Sequence, residues 1–233
     1  MKKHCLIIVA TILFFSHGVF SQNPPPEADV QFWNETSLTF PLLKTTDGKG
    51  KKSNRIEGFI TGNLRIGQNI QHFVDERIGG GINYIINKNF SASVSYLYIA
   101  EQPYKGARRG FENRLRFDFN AEKKWKSFSL KDRNRIEYRI RNSRSDSTRY
   151  RNKIQLKVPI NRDGSEIVTP FVATEPFYDF SQSKWSRNEF SAGISKKLHK
   201  TLTAEFFYML QTNTGTVLKR RNIVGANLKF KID

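Results

Sequence analysis

The stretch that decides the fold is RGFENRLRFDFNAE, residues 109–122. Phe111, Leu115, Phe117 and Phe119 fall on one face of an extended chain, and polar or charged residues occupy most positions between them. Side chains of a β-strand point alternately to opposite faces, so a period of two predicts a strand with one apolar and one charged face. The strand is also long, because strands of soluble proteins typically have about five or six residues.

The same alternation recurs from Val30 to the end of the chain. It is clear at residues 55–66, 90–98, 133–141, 149–158, 201–212 and 224–232, and weaker at 30–41, 77–86, 167–175 and 185–198. Together with 109–122 these segments suggest about eleven strands. Because bacterial single-chain barrels have an even number of strands, we expect 12, with 10 as the alternative, and the stretch 42–73 is where the count is open.

Strand length and the connections favour a membrane-spanning barrel over a soluble sandwich. Strands of about ten residues can cross a bilayer at a tilt. Short connections are expected at 87–89, 123–126, 161–165 and 197–200, and longer ones at 101–108, 142–147, 176–184 and 213–219, with an early long one at 43–53. Aromatic residues also lie near strand ends, as in an interfacial girdle. The predicted fold is an all-β, antiparallel, up-and-down transmembrane β-barrel; the alternative is a secreted β-sandwich.

The N-terminus resembles a secretory signal. Lys2 and Lys3 precede an apolar run at residues 5–15, which is shorter than the roughly 20 residues of a membrane-spanning helix. Cleavage is expected before Gln22. The predicted organisation is therefore a signal peptide at 1–21, a Pro-rich leader at 22–29 and a barrel at 30–233, located in the outer membrane of a Gram-negative bacterium.

The charged faces of the middle strands are the candidate functional feature. The chain carries a formal charge of +18, and in a barrel these faces would line the lumen. The predicted ladder comprises Glu112, Arg114, Arg116, Asp118, Arg133, Arg135, Glu137, Arg139, Arg141, Arg149 and Arg151. One interpretation is a cross-strand network that fills a narrow lumen. The other is a narrow passage for small anionic solutes, because rings of Arg and Lys select anions.

Other chemistry finds little support in the sequence. Cys5, the only cysteine, lies in the signal, and no spacing indicates a metal or a cofactor. A lipid-modifying barrel enzyme is an alternative, but His72 and His199 have no serine partner that spacing identifies. Gly79-Gly80-Gly81 indicates a bend or a close strand contact rather than a phosphate loop. A non-enzymatic barrel is therefore the expectation.

Basic clusters and the last strand suggest partners at the membrane. One cluster comprises Lys44, Lys49, Lys51, Lys52 and Arg55, and another comprises Lys196, Lys197 and Lys200. These clusters could contact outer-membrane lipid or lipopolysaccharide phosphates. Phe230, close to the C-terminus, fits recognition by the barrel-assembly machinery. No nucleic acid is expected, since the basic residues follow alternating strand faces rather than one aromatic-lined groove.

The middle of the chain resembles a known family. The stretches that carry the resemblance are Arg133–Arg139, which is similar to an R-x-R-x-E-x-R strand, Arg149-Tyr150-Arg151, and Thr174–Phe177. They resemble the uncharacterised outer-membrane barrel proteins catalogued as domain of unknown function 2490, and Trp33 also fits. Arg187-Asn188-Glu189 departs from the order expected there. The resemblance implies a barrel in the outer membrane and no particular activity.

Overall fold

The computed structural model describes residues 28–46, 48, 50, 52–163, 165–216 and 218–232. Within these ranges the chain forms strands joined by turns and loops, and no helix. The expected signal peptide and most of the expected leader lie outside the described residues. Ala28 and Asp29, the last two residues of that leader, already belong to the first strand.

Twelve strands follow one another along the described chain. They are β1 (Ala28–Thr46), β2 (Lys52–Gly67), β3 (His72–Ile85), β4 (Phe90–Glu101), β5 (Gly110–Lys124), β6 (Ser129–Arg141), β7 (Ser147–Lys157), β8 (Ile160–Arg162), β9 (Ser165–Asp179), β10 (Lys184–His199), β11 (Leu202–Asn213) and β12 (Arg220–Lys231).

Eleven of these strands form a closed barrel wall. Neighbours along the chain pair antiparallel, except that β7 pairs with β9 and the three-residue β8 pairs only with β9. The barrel closes between β1 and β12, which run parallel from Ala28 beside Arg220 to Thr39 beside Lys231. The predicted up-and-down transmembrane barrel is thus confirmed, with twelve strands of which eleven make the wall.

The parallel seam follows from the odd number of wall strands. When each strand reverses the direction of the one before it, the first and the eleventh point the same way, so only parallel pairing can close the wall. An even number of strands would let the first and last strands pair antiparallel, whereas the eleven wall strands here close by parallel pairing. Parallel pairs are slightly less stable per residue, and here twelve residue pairs form the seam.

Burial divides the wall strands into an outer apolar face and an inner face that holds most of the charges together with a few apolar residues such as Trp33 and Ile223. Ile78 and Phe117 on the outside are 63% and 55% exposed, whereas Glu112 and Glu137 on the inside are 1% and 0% exposed. A soluble sandwich would bury the apolar face instead. The barrel therefore presents its hydrophobic side chains to lipid and encloses its charges. No helix of the described residues is long and apolar enough to cross a membrane.

Three of the predicted connections are shorter or placed differently. β9 continues through Pro176, which pairs with Asn188, so the long connection expected at 176–184 reduces to a turn at 180–183. Pro176 lacks an N–H, but such a residue can lie in a ladder wherever no donor is required. The expected connection at 43–53 is also shorter, because β1 and β2 stay paired as far as Thr46 and Lys52, across register shifts after Pro41 and Leu43. The expected turn at 161–165 falls in the β8–β9 hairpin.

Gly79 and Gly81 allow two strands to carry large inward side chains beside them. A Cβ at Gly79 would overlap the backbone carbonyl of Tyr96 in β4 and lie 2.9 Å from the side chain of Leu97. At Gly81 it would lie 2.8 Å from the ring of Phe59 in β2. The glycine run in β3 is therefore a place of close strand contact, as the sequence predicted.

Substituting Gly79 by alanine should impair barrel assembly. The added Cβ meets backbone, which cannot move aside as a flexible side chain can, and overpacking of this kind costs roughly 1–3 kcal/mol or more. A gel that separates boiled from unboiled samples measures the folded fraction. Gly48→Ala is the matched control, since nothing lies within 4 Å of its Cβ position. Equal folded fractions for the two variants would contradict this packing argument.

Candidate functional site

The predicted ladder comes together on the inner face of β5, β6 and β7. Register places Arg116 beside Glu137, and Glu137 in turn beside Arg149. Asp118 likewise lies beside Arg135. Neighbouring strands are about 4.8 Å apart, so long side chains at such positions meet across the sheet. The ladder is therefore built by strand register and by the alternation of the sequence.

Glu137 is the centre of this network. Its carboxylate accepts hydrogen bonds from Arg149 at 2.7 Å and Arg151 at 2.8 Å. Arg114 and Arg135 approach it at 3.5 Å and 3.7 Å. One fully buried carboxylate thus counters four guanidiniums that come from three strands.

Two further carboxylates on β5 extend the network to its ends. Glu112 accepts both forks of Arg139, at 2.8 Å and 2.6 Å, and lies 2.5 Å from Arg114. Asp118 accepts from Arg135 at 2.6 Å and 3.2 Å. Bidentate guanidinium–carboxylate pairs fix orientation as well as charge. Most of the predicted ladder is therefore held in place by pairing.

Glu175 of β9 belongs to the same network, although the ladder predicted from the sequence does not contain it. It accepts from Arg133 and Arg151, each at 2.7 Å, and is 3% exposed. The sequence held only a weak signal for this, because apolar residues occupy both faces of the segment 167–175 that contains Glu175. Alternation alone therefore did not identify Glu175 as a lumen residue.

Arg116 and Arg141 differ from the rest of the ladder. Arg116 donates to the hydroxyl of Ser95 at 3.0 Å and forms no salt bridge with a described carboxylate. Arg141 lies at the end of β6 and donates to the carbonyl of Ser145 in the following loop. The structure therefore places Arg141 beside a loop, apart from the paired network.

Two cavities occupy the lumen. One of them, named here the loop-side chamber, has a volume of about 460 Å³. It is lined in part by Tyr104, Arg144 and Leu218, which belong to the longer connections. The other, the turn-side chamber, has a volume of about 270 Å³ and includes Lys131, Lys153 and Lys229. Both are lined by the same six residues where they adjoin: Trp33, Arg65, Arg77, Arg114, Arg151 and Glu189.

Positive charge prevails on the walls of both chambers. Nine arginines and four carboxylates line the loop-side chamber. Ten arginines and lysines and four carboxylates line the turn-side chamber. Buried Glu112 and Glu137 offset part of the excess, but Lys131 and Lys153 form no salt bridge within the described part of the chain. Net positive charge therefore remains in the lumen.

The wall opposite the ladder carries an apolar patch. Trp33, Met209 and Ile223 form a buried cluster against which Phe207 packs. The guanidinium of Arg65 lies 3.4 Å from the centre of the Trp33 ring, and the indole N–H donates to Gln31 at 2.7 Å. The lumen thus has one wall of paired charges and one wall with an aromatic surface.

The two histidines of the described chain show no catalytic pairing. His199 is exposed at the end of β10, and its Nδ1 lies 3.0 Å from the hydroxyl of Thr201 in the following turn. The Nε2 atom of His72 is buried and has no hydrogen-bond partner among the described residues. Nor do three or more His, Cys, Asp or Glu side chains gather in a metal-binding group in the ranges that the structure describes.

The fold and the lumen define this chain as a membrane-spanning β-barrel with a charged interior. The sequence profile of the family described as "Protein of unknown function (DUF2490)" matches residues 30–221. The chain belongs to that family, as the resemblance in its middle strands indicated. No curated protein matches the sequence.

Several solved structures share the general barrel form. The beta domain of the Bordetella autotransporter BrkA is 12% identical, with a TM-score of 0.45 over 71% of this chain and 78% of that one. An anion-selective porin from Comamonas acidovorans is 12% identical, with a TM-score of 0.37 over 78% and 59%. LpxR from Salmonella typhimurium is 7% identical, with a TM-score of 0.48 over 76% and 84%. Similarities at this level carry no argument about activity.

Replacing Glu137 by glutamine should destabilise the barrel strongly. Removing one partner of a buried ion pair typically costs about 3–5 kcal/mol, and here four guanidiniums lose their shared counter-charge. The urea midpoint of unfolding in detergent micelles would report the loss. Glu122→Gln serves as the control, because its partner Lys124 is 77% exposed and exposed pairs contribute about 0–1 kcal/mol. Equal midpoints for the two variants would contradict a structural role for the network.

Proposed function

We propose that the protein is a non-enzymatic barrel of the bacterial outer membrane that admits small anions through a narrow lumen. The observation that carries the proposal is the excess of positive charge on the walls of both chambers. Rings of Arg and Lys select anions in pores, and a low-dielectric wall strengthens their field. The paired ladder holds the wall in shape, and the unpaired cations attract the solute.

The difference between paired and unpaired cations decides which residues govern anion selectivity. Arg135 and Arg139 of the predicted ladder are tied to Asp118 and Glu112. Their charges are largely cancelled at short range, and their loss would disturb the wall. Arg116, Lys131 and Lys153 line the turn-side chamber and form no salt bridge with any carboxylate in the described residues. They are the better candidates for attracting anions.

The outer-membrane location rests on the barrel, its apolar outer face and the signal-like N-terminus. Of the two lysine clusters, Lys44, Lys52 and Lys196 are exposed, and all three lie at the end of the barrel that has the short turns. Such cations suit contact with the phosphates of outer-membrane lipid. Assembly by the barrel machinery, through the last strand β12, belongs to the same proposal.

A lipid-modifying enzyme is the competing function, and no contact in the described chain favours it. Such an enzyme needs an activated nucleophile with a base within hydrogen-bond reach. His199 contacts a threonine in the turn that follows it, and the Nε2 atom of His72 has no described partner. The passage therefore has the stronger support.

Conductance in planar bilayers tests the passage. With a KCl gradient across the membrane, the unaltered protein should give a reversal potential of the sign expected for chloride preference. Lys153→Gln should weaken that preference, because it removes an unpaired cation from the chamber wall. Lys196→Gln removes the same charge from the exposed barrel end and should leave the preference unchanged. Absence of current would leave a structural barrel, and cation preference would contradict the proposal outright.

A further inference from the structure

Three arginines of the loop-side chamber stand outside the paired ladder. Arg65 lies on β2, Arg187 on β10 and Arg221 on β12, and all three line this chamber. Within the described residues, Arg65 and Arg221 form no salt bridge. Arg187 reaches only Glu189, at 3.8 Å. This group contrasts with the ladder, where guanidinium–carboxylate distances fall near 2.7 Å.

The neighbours of Arg221 on β10 and β11 form no salt bridge with its guanidinium. Register aligns Glu189, Gln211 and Arg221 across β10, β11 and β12. With its amide oriented to satisfy both sides, fully buried Gln211 donates to Glu189 at 3.2 Å and accepts from Arg221. The Nε atom of Arg221 is buried without a described hydrogen-bond partner. Gln211 therefore supplies one acceptor and no charge.

The nearest carboxylate on β1 is already engaged. Asp29 lies beside Arg221 in the parallel seam. It accepts from the amide of Gln31 at 2.6 Å and from the backbone N–H of Asn69 at 3.0 Å. Both donors are neutral, so Asp29 keeps its negative charge and attracts Arg221, although no salt bridge joins the two side chains.

Arg187 is oriented but also incompletely paired. Its Nε donates to Asn213 at 2.8 Å, and its guanidinium lies 5.4 Å from the centre of the Phe177 ring. Apart from the 3.8 Å approach to Glu189, no described acceptor contacts its terminal nitrogens. The side chain is thus fixed by its Nε while the charged fork is left available.

The charges around Glu189 do not balance. Glu189 interacts electrostatically with Arg65, Arg187 and Arg221, and Arg187 also lies near enough to the other two to be repelled by them. With Asp29, which also attracts Arg221, the three guanidiniums face two carboxylates, so one positive charge remains. Buried like charges are unfavourable without a counter-ion, and planar guanidinium forks suit the oxygens of phosphate.

We propose that Arg65, Arg187 and Arg221 form a binding site for a tetrahedral oxyanion, namely phosphate or the phosphate group of a small phosphomonoester. Its several oxygens can accept hydrogen bonds from the three guanidinium forks, and its charge offsets the positive charge that Glu189 and Asp29 leave over. The inference rests on the proposed function for one point, that solutes enter the chamber from its loop end. It adds to that function a ligand class and a binding site for the anion.

Titration calorimetry on the barrel folded in detergent tests the site. Inorganic phosphate at about pH 8, where it carries two charges, should bind saturably to the unaltered protein. Acetate at the same concentration should bind at least about tenfold more weakly, because it offers fewer oxygens than phosphate to the three guanidinium forks. Lack of saturable phosphate binding, or equal binding of acetate, overturns the proposal without any variant.

Two single-charge variants locate the site. Arg187→Gln and Arg221→Gln should each weaken phosphate binding by roughly tenfold or more, as expected for the loss of a charged hydrogen bond. Arg144→Gln is the matched control, since Arg144 lines the same chamber but is 51% exposed and paired with Glu101. It should change binding less than about twofold. Equal losses in all three variants would overturn the assignment to these residues.

The result separates this site from the proposed passage. A barrel that binds phosphate but carries no current keeps the site and loses the passage. An anion current without saturable phosphate binding keeps the passage and loses the site. Arg187→Lys controls for folding, because it retains the positive charge. It should bind phosphate less tightly than the unaltered protein, because the planar fork is lost, but more tightly than Arg187→Gln. Binding equal to that of Arg187→Gln would contradict the charge argument.

Discussion

The structure depends on one constraint: charges on every second residue of long strands cannot face lipid, so they must face one another. Glu137 shows how this is met, because a single buried carboxylate joins four guanidiniums from β5, β6 and β7. Inside a membrane barrel an unpaired charge costs several kcal/mol. The pairing of the ladder therefore follows from closure of the wall, and the wall keeps its shape because the ladder is paired.

Pairing also determines where chemistry can occur. Guanidiniums tied to Glu112, Glu137 and Glu175 have little charge to offer a solute. Those on the opposite wall and near the chamber ends, such as Arg187 and Arg221, keep theirs. The apolar cluster around Trp33 gives that wall a surface of low dielectric constant, which strengthens the field of the neighbouring cations. The lumen thus contains two sets of arginines: one set is paired with carboxylates and holds the wall, and the other keeps its positive charge.

The sequence predicted the barrel, the two faces of its strands and most of the ladder, because a period of two decides which face each residue takes. It could not predict which arginines are paired. That depends on the exact register of paired strands, such as β7 and β9 for Arg151 and Glu175, and on which wall lies opposite which. The eleven-strand wall was also beyond reach, since alternation does not show whether the first and last strands run parallel. The end of β9 was expected too early, because the alternation is weak there and does not show that Pro176 pairs with Asn188.

The central claim is that residues on β5 alternate between lipid and lumen, and lipid quenching measures this most directly. The chain from Gln22 onward has no cysteine, so single cysteines at Phe119 and Asn120 can each carry a fluorophore in a barrel reconstituted with brominated lipid. The account predicts strong quenching at 119 and little at 120, where a water-soluble quencher acts instead. Equal quenching at both positions, or the reverse order, would contradict the outward apolar face and with it the enclosed charge network.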